Sequence, residues 1–153
     1  MTTITLDDHE MIMVRMVGLM RHHANTAAKV PETKRSKMPG EDIHADGFMA
    51  EYAFGKWKNL FVDLSTLMRS GGYDLRDKNF RFDIKSNRLK NPDLIIVMKD
   101  NPDVDIYILS RIEGNQVHFL GWCEKHEAIR EEYITDLGYG PLYRIPREKL
   151  RPL

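Results

Sequence analysis

Two residues in the segment FDIKS, Asp83 and Lys85, have the types and the spacing that suit hydrolysis of a phosphodiester. Side chains alternate along a β-strand, so residues two apart lie on the same side, about 7 Å from each other. A lysine beside a metal ion held by carboxylates can position or deprotonate an attacking water and stabilise charge on a phosphate, while the metal lowers the pKa of that water. The pair alone also has a simpler interpretation, a surface ion pair that stabilises the fold little.

A second acid, Asp74, is predicted to lie opposite Asp83. If Lys78 and Asn79 form the two-residue turn of a β-hairpin, each aspartate lies four residues outside that turn. Directly opposite residues have Cβ atoms about 5 Å apart, and two carboxylates at that separation repel unless a cation lies between them or one is protonated. Mg²⁺ is usually held by one or two carboxylates together with water and phosphate. The hairpin therefore predicts a Mg²⁺ site, for which Mn²⁺ is the natural substitute.

Two helices and a loop are predicted before this hairpin. Asp7 suits an N-cap with Glu10 three residues later, and apolar residues at helical spacing predict a first helix over roughly residues 7 to 24. No periodicity is sustained over 25–46, which predicts a mobile loop. A second helix is predicted from 47 to the glycines at 71 and 72. Its apolar stripe comprises Met49, Ala53, Trp57, Leu60, Leu64 and Met68.

The remainder of the chain is predicted to be mainly strands. Runs that alternate or are continuously apolar, bounded by turn residues, predict strands at 80–86, 94–98, 104–110 and 116–122. A short strand near Tyr73, a short helix at 128–134 and a last strand or tail at 142–146 complete the prediction. Within the first strand, the buried face is predicted to comprise Phe80, Phe82 and Ile84. Helices followed by consecutive strands indicate an α/β or α+β domain with a mixed, mainly antiparallel sheet of about five strands.

Length, charge and composition restrict the class of protein. A chain of 153 residues is expected to form one domain with a sizeable core. The 23 basic and 23 acidic residues balance, so a polyanion would have to be held locally rather than by bulk charge. A single cysteine, Cys123, excludes an internal disulfide framework and fits a reducing interior. The N-terminal sequence has the features of neither a signal peptide nor a membrane span, which predicts a cytoplasmic protein with no membrane partner.

The order and spacing of the acids and the lysine resemble the PD-(D/E)XK nuclease superfamily, which has the restriction-endonuclease-like fold. In that superfamily a helix carries a glutamate, an acid follows a turn, and (D/E)-x-K lies on the next strand. The matching residues are Glu51 in GFMAEYAFGKW, Asp74 in GGYD, and Asp83 with Lys85 in FDIKS. The resemblance covers residues 47 to 122 and looks like a small phage or prophage type, with Tyr73 where the superfamily's name has proline.

The resemblance implies a role for each of these residues. Asp74 and Asp83 would be ligands of Mg²⁺, the backbone carbonyl of Ile84 would be a third ligand, and Lys85 would position or activate the water. Glu51 would reach the metal directly or through water. On a helical wheel, however, Glu51 lies away from the apolar stripe, so a solvated surface glutamate is the alternative interpretation.

Further basic and polar residues are candidates for contact with nucleic acid. In the predicted loop, Lys34, Arg35 and Lys37 could clamp a phosphate backbone, although a charge run in a loop is commonly just solvated. Asn87 and Arg88 follow the motif and could contact phosphate, or could simply be the polar end of a strand.

We therefore expect a Mg²⁺-dependent nuclease that hydrolyses DNA by metal-activated water, as an endo- or exonuclease. DNA is the expected partner, and a homodimer is compatible with the sequence. The sequence has no Gly-rich phosphate loop, so no nucleotide cofactor is expected. The rival hypothesis is a catalytically inactive protein on the same fold, which binds nucleic acid or serves in phage assembly. A third is a structural hairpin within a phage accessory protein. The presence of acids at all three positions of the motif, Glu51, Asp74 and Asp83, together with the lysine favours the enzyme.

Overall fold

The computed structural model describes residues 1–28, 38–66, 72–99 and 101–153. It contains helices and strands in the order of an α+β protein, which confirms the predicted class. The helices are α1 (Asp8–Ala27), α2 (Gly40–Lys58) and α3 (Lys125–Ala128). The strands are β1 (Thr2–Thr5), β2 (Leu75–Arg76), β3 (Arg81–Asn87), β4 (Leu94–Val97), β5 (Ile106–Glu113), β6 (Gln116–Glu124), β7 (Ile134–Asp136) and β8 (Pro141–Ile145).

Helix α1 begins as predicted. The Asp7 carboxylate accepts the backbone N–H of Glu10 at 2.9 Å, and the Glu10 carboxylate accepts the backbone N–H of Asp7 at 2.8 Å. This capping box satisfies two N–H groups that the first turn leaves without a helical acceptor. The helix continues to Ala27, three residues beyond the predicted end. No helix in the described part of the chain is both long enough and apolar enough to cross a bilayer.

Helix α2 has different bounds from those predicted. It begins at Gly40, where acidic Glu41 and Asp42 in the first turn suit the positive end of the helix dipole. It ends at Lys58, because Asn59 adopts a left-handed conformation with φ of 54° and its N–H binds the carbonyl of Gly55. The apolar spacing that predicted a helix to residue 72 thus continues past the point where the chain turns.

Gly55 allows the chain after α2 to fold back against the helix. A Cβ atom at Gly55 would lie 2.3 Å from Cγ2 of Val62, closer than real Cβ contacts allow. The predicted loop at 25–46 was too long, since α1 and α2 occupy both of its ends. Residues Lys34, Arg35 and Lys37 lie outside the described part of the chain.

Five strands form a first sheet in the order β1-β6-β5-β3-β2. Strands β3 and β5 are parallel, with Asp83 opposite Tyr107, and the other three pairs are antiparallel. The prediction of a mixed, mainly antiparallel sheet of about five strands is confirmed. Strand β1 was not predicted.

A second sheet has the order β4-β8-β7 and is antiparallel. The run at 94–98 was predicted correctly as a strand, but it belongs to this second sheet rather than to the first. The helix predicted at 128–134 is replaced by α3 and a 3-10 turn at Glu131–Tyr133, because Arg130 between them is extended. Strand β7 was not predicted.

Both faces of the first sheet are covered. Helices α1 and α2 pack on the face that carries Phe82 and Ile84, and a second apolar cluster, which includes residues of β4 and β8, covers the face that carries Tyr107 and Leu109. The prediction that Phe80 is buried was wrong, since its side chain is 44% exposed at the tip of the β2–β3 hairpin. Asp83, in contrast, is only 7% exposed, because its face of the sheet is covered as well.

The close approach of α1 to α2 gives a test of this packing. A Cβ atom at Gly18 would lie 2.4 Å from Cα of Ala45, whereas Gly47 has no atom within 4 Å of the equivalent position. Gly18→Ala should therefore lower the free energy of unfolding by about 1 to 3 kcal/mol through overpacking. The matched Gly47→Ala should raise it by about 0.5 to 1 kcal/mol through helix propensity. Urea denaturation measures both, and equal stabilisation by the two substitutions would contradict the packing described.

Candidate active site

The β2–β3 hairpin has the register that was predicted from its turn. Leu75 pairs with Phe82 and Arg76 pairs with Arg81. Oδ1 of Asp77 accepts the backbone N–H groups of Asn79 and Phe80, each at 2.7 Å, and so braces the Lys78–Asn79 turn. The ladder ends at Leu75 and Phe82, and Asp74 and Asp83 are the residues that directly follow this last pair.

A bidentate ion pair aligns the start of β3 with the start of β5. The Arg81 guanidinium donates to both carboxylate oxygens of Asp105 at 3.0 Å, and the backbone N–H of Arg81 donates to Oδ2 of Asp105 at 2.8 Å. Parallel strands are joined only through a long connection, so such a contact at their common end helps to set the register. That register brings Asp83 against Tyr107.

The side chain of Asp74, just before β2, supplies a hydrogen-bond acceptor for β3 where the pairing with β2 stops. Its backbone N–H donates to the carbonyl of Phe82 at 2.8 Å, and its Oδ2 accepts the backbone N–H of Ile84, also at 2.8 Å. In an extended strand the N–H and C=O of one residue point to the same side. The carbonyl of Ile84 therefore points to the edge of the sheet where the Asp74 carboxylate lies, which is the arrangement needed for its predicted role as a ligand.

Asp83 and Lys85 lie on the same side of β3, as the alternation predicted. Nζ of Lys85 is 2.8 Å from Oδ1 of Asp83. Asp83 lies opposite the buried Tyr107, and burial together with the charge of Asp83 raises the pKa of Tyr107 to about 12. In this pair the Asp83 side chain is buried, with 10% exposed, whereas the Lys85 side chain is 35% exposed and reaches solvent.

Glu51 extends from α2 toward the same edge. Its side chain is buried, with 9% of the residue exposed, so the interpretation of Glu51 as a solvated glutamate is wrong. The reason is Arg21 of α1, whose Nη1 lies 3.3 Å from Oε2 of Glu51. A helical wheel of α2 alone cannot show that a second helix covers this side.

Arg21 is the residue near the site that sequence reasoning missed. Its guanidinium also donates to the carbonyls of Asp63 at 2.7 Å and Ser65 at 3.0 Å, and it lies 4.6 Å from the centre of the Phe48 ring. It thus binds Glu51 and the segment that follows α2 at the same time. Because a single arginine on an amphipathic helix is normally solvated, no signal in the sequence connects Arg21 with an acid thirty residues later.

The acids act on one another electrostatically. Burial raises the pKa of Asp74 well above its usual range, and the negative charges of Glu51 and Asp83 raise it further. The hydrogen bond from Ile84 and the charge of Lys85 act in the opposite direction but do not cancel this effect. Glu51, Asp74 and Asp83 are therefore near neighbours in space, contributed by α2, by the segment before β2 and by β3.

Lys85 responds to the same three acids. Burial alone would lower its pKa, but the charge and hydrogen bond of Asp83, followed by the charges of Asp74 and Glu51, raise the pKa overall. Beside these acids Lys85 is accordingly protonated at neutral pH. With Arg21, the site then holds two cations against three carboxyl groups.

The chemistry of these donors suits a hard divalent cation. Carboxylate and carbonyl oxygens are the ligands such ions prefer, and a cation would offset both the burial and the repulsion that raise the pKa of Asp74. Asp83 can bind Lys85 through Oδ1 and a cation through Oδ2. Among the described residues, no three His, Cys, Asp or Glu side chains are arranged to hold a metal by themselves. The predicted ligands are Asp74, Asp83 and the Ile84 carbonyl, with Glu51 binding directly or through water. Water and phosphate would have to complete this set.

The other predicted contact residues have structural partners. Arg88 forms a bidentate pair with Asp46 of α2, with distances of 2.6 and 2.8 Å. Oδ1 of Asn87 accepts the backbone N–H of Leu89 at 2.7 Å. Asn87 and Arg88 nevertheless line a surface pocket, where a ligand can still contact them.

The raised pKa of Asp74 predicts the direction of a pH effect on stability. In the unfolded chain Asp74 titrates near its ordinary value of 3.8, whereas the folded protein favours the protonated form. In EDTA, the contribution of Asp74 to the free energy of unfolding should therefore fall as pH rises above the ordinary value and through the folded pKa, with a slope of at most about 1.4 kcal/mol for each pH unit. Asp74→Asn keeps an acceptor for Ile84 and should lose this dependence.

Urea denaturation of the wild type and of Asp74→Asn, between about pH 4 and pH 8, measures the difference in their free energies of unfolding. Asp8→Asn, in the exposed first turn of α1, is the control and should keep the wild-type slope. A wild type that gains stability relative to Asp74→Asn as pH rises would contradict the assignment.

The chain was compared with family models, curated proteins and solved structures. No family model, no curated protein and no solved structure matches the chain. The function of the protein must therefore be inferred from the arrangement of Glu51, Asp74, Asp83 and Lys85 itself.

Proposed function

We propose that this protein is a metal-dependent nuclease of the PD-(D/E)XK type that hydrolyses phosphodiester bonds of DNA and uses Mg²⁺, with Mn²⁺ as a substitute. The observation that carries the proposal is the convergence of Glu51, Asp74, Asp83 and Lys85 at one edge of the sheet. Glu51 comes from α2, Asp74 from the segment before β2, and Asp83 with Lys85 from β3. A structural Asp–Lys pair needs neither of the two additional acids.

The order of elements supports the finer part of the proposal, a restriction-endonuclease-like core. Helix α2 with its glutamate is followed by the β2–β3 hairpin with both aspartates, and β3 then pairs in parallel with β5. The superfamily resemblance implies this order of helix, turn, acid and motif strand. The proposed core comprises α2 and the first sheet.

Each residue has a role that follows from its contacts. Asp74 and Asp83 would hold the cation together with the Ile84 carbonyl, and Glu51, oriented by Arg21, would bind it directly or through water. When bound, a divalent cation would lower the pKa of a coordinated water and neutralise charge on the phosphate. Lys85, which is protonated beside the acids, would hold the attacking water by hydrogen bonding and stabilise the charge that develops on the phosphate.

A second candidate, a nucleic-acid-binding or phage assembly protein without activity, is favoured by two observations. Lys85 contacts Oδ1 of Asp83 at 2.8 Å, and the described side chains include no ready group of three metal ligands. On this hypothesis Lys85 is the permanent partner of Asp83 and takes the place that a cation would have. The two candidates differ in metal binding and in cleavage, which can be measured separately.

Metal binding should stabilise the folded protein. An ion that binds only the folded state at 100 times its Kd stabilises it by about 2.7 kcal/mol, which for a chain of this size raises Tm by roughly 5 to 10 °C. We expect such a shift with Mg²⁺ or Mn²⁺ in the wild type and its near loss in Asp83→Asn. Asp8→Asn should show the full shift. An equal shift in Asp83→Asn would place the ion elsewhere.

Cleavage should depend on Lys85 while metal binding does not. Lys85→Ala leaves all three acids in place, so the Tm shift with Mg²⁺ should persist while cleavage of plasmid and single-stranded DNA falls by about 10² to 10⁴. Lys78→Ala, in the exposed turn of the same hairpin, is the matched control and should cleave normally. Metal binding without cleavage by the wild type on either DNA form would favour the inactive candidate.

A further inference from the structure

A pocket of about 750 Å³ lies beyond the end of β3. Its walls come from the first half of α2, from the residues that end β3, and from β4 and β8 of the second sheet. We call it the Tyr139 pocket, after the most exposed aromatic side chain that lines it; its lining also includes Ile43, Asn87, Arg88, Ile95 and Arg144. Its volume is within the range of sites that bind small organic molecules.

The Tyr139 pocket lies at the end of β3, the strand that carries Asp83 and Lys85. Asp83, Lys85 and Asn87 alternate onto the same side of this strand, and Asn87 lines the pocket. Consecutive members of this row are about 7 Å apart. A nucleic-acid strand with one phosphate at Lys85 would therefore place a neighbouring nucleotide at the mouth of the pocket.

Tyr139 is held in an exposed position by its turn. Gly138 and Gly140 on either side have φ of 99° and 94°, and Oδ1 of Asp136 accepts the N–H groups of both, at 2.7 and 3.2 Å. Positions with positive φ favour glycine, so the sequence of this turn is suited to its shape. Tyr139 between them is 62% exposed and thus presents its ring beside the pocket from a braced backbone.

The lining combines apolar and hydrogen-bonding groups in a way that suits a nucleobase. Ile43 and Ile95 contribute apolar surface against which a flat ring can pack. Arg88 and Arg144 are paired with Asp46 and Asp93, each with a closest distance of 2.6 Å, so the two ion pairs add no net charge. Because a guanidinium has five N–H donors, each arginine retains donors beyond those that its aspartate accepts. An electrically balanced, mainly apolar pocket favours a base over a bare phosphate.

We propose that the Tyr139 pocket receives the unstacked base of the nucleotide next to the cleaved phosphodiester, and that the substrate is single-stranded DNA. This inference rests on the proposed nuclease function, which it extends to a class of substrate. In a duplex the base is stacked and paired, so it would have to leave the helix before it could enter. Stacking on an exposed tyrosine is a sequence-tolerant way to hold an unpaired base.

The test measures binding rather than cleavage. A short fluorescent single-stranded oligodeoxynucleotide and a duplex of the same sequence are titrated in EDTA at one fixed salt concentration, with anisotropy as the readout. The wild type should prefer the single strand. Tyr139→Ala should weaken single-strand binding by about fivefold or more and leave duplex binding unchanged, whereas Tyr139→Phe should retain the preference because it keeps the ring. Ile43→Trp, which fills the pocket from α2, should weaken single-strand binding independently.

The outcomes separate this inference from the proposed function. The inference is supported if Tyr139→Ala and Ile43→Trp lose the preference for single-stranded DNA and Tyr139→Phe keeps it. That result would stand even if none of the proteins cleaved DNA, and only the proposed nuclease function would then fail. Equal binding of single strand and duplex by the wild type overturns the inference. Unchanged binding in Tyr139→Ala overturns it as well, whatever the cleavage assays show. Tm values identify any variant whose fold is affected, and the remaining variant then decides.

Discussion

The hydrogen bond between the Ile84 N–H and the Asp74 carboxylate is the contact on which the arrangement of the site depends. Strand β2 is only two residues long, so β3 would lose its partner at Ile84 if no other acceptor were present. Asp74 supplies that acceptor from its side chain, at 2.8 Å. The Asp74 side chain thus takes the place of a paired strand at the end of the hairpin. The same contact brings its carboxylate to the edge of the sheet beside Asp83.

The end of α2 and the parallel pairing of β3 with β5 position the residues around the contact between Asp74 and Ile84. Because α2 ends at Lys58, the segment after it can turn back, and Arg21 binds two of its carbonyls while it holds Glu51. The parallel pairing of β3 with β5 requires a long connection, and β4 within that connection pairs with β8 instead of joining the first sheet. The second sheet thus covers the face with Asp83 and also forms one wall of the Tyr139 pocket.

Local signals in the sequence were sufficient to predict part of the fold. The capping box at Asp7, the register of the hairpin from its two-residue turn, and the side shared by Asp83 and Lys85 all depend on residues close in the sequence. Features set by distant contacts could not be predicted in this way. The end of α2, the division of the strands between two sheets and the burial of Glu51 each depend on a partner from another element.

The charges of the site make the Asp74 carboxylate costly for the fold. Burial and two neighbouring acids raise the pKa of Asp74, so ionised Asp74 opposes folding at neutral pH. An asparagine at this position would accept the same N–H of Ile84 without that cost. A carboxyl group that is unfavourable for the isolated fold would become favourable if the proposed cation lay between it and Asp83, because the cation would offset the burial and the repulsion that raise its pKa. The cation of the proposed function would thus offset a cost that the architecture of the sheet alone leaves at Asp74.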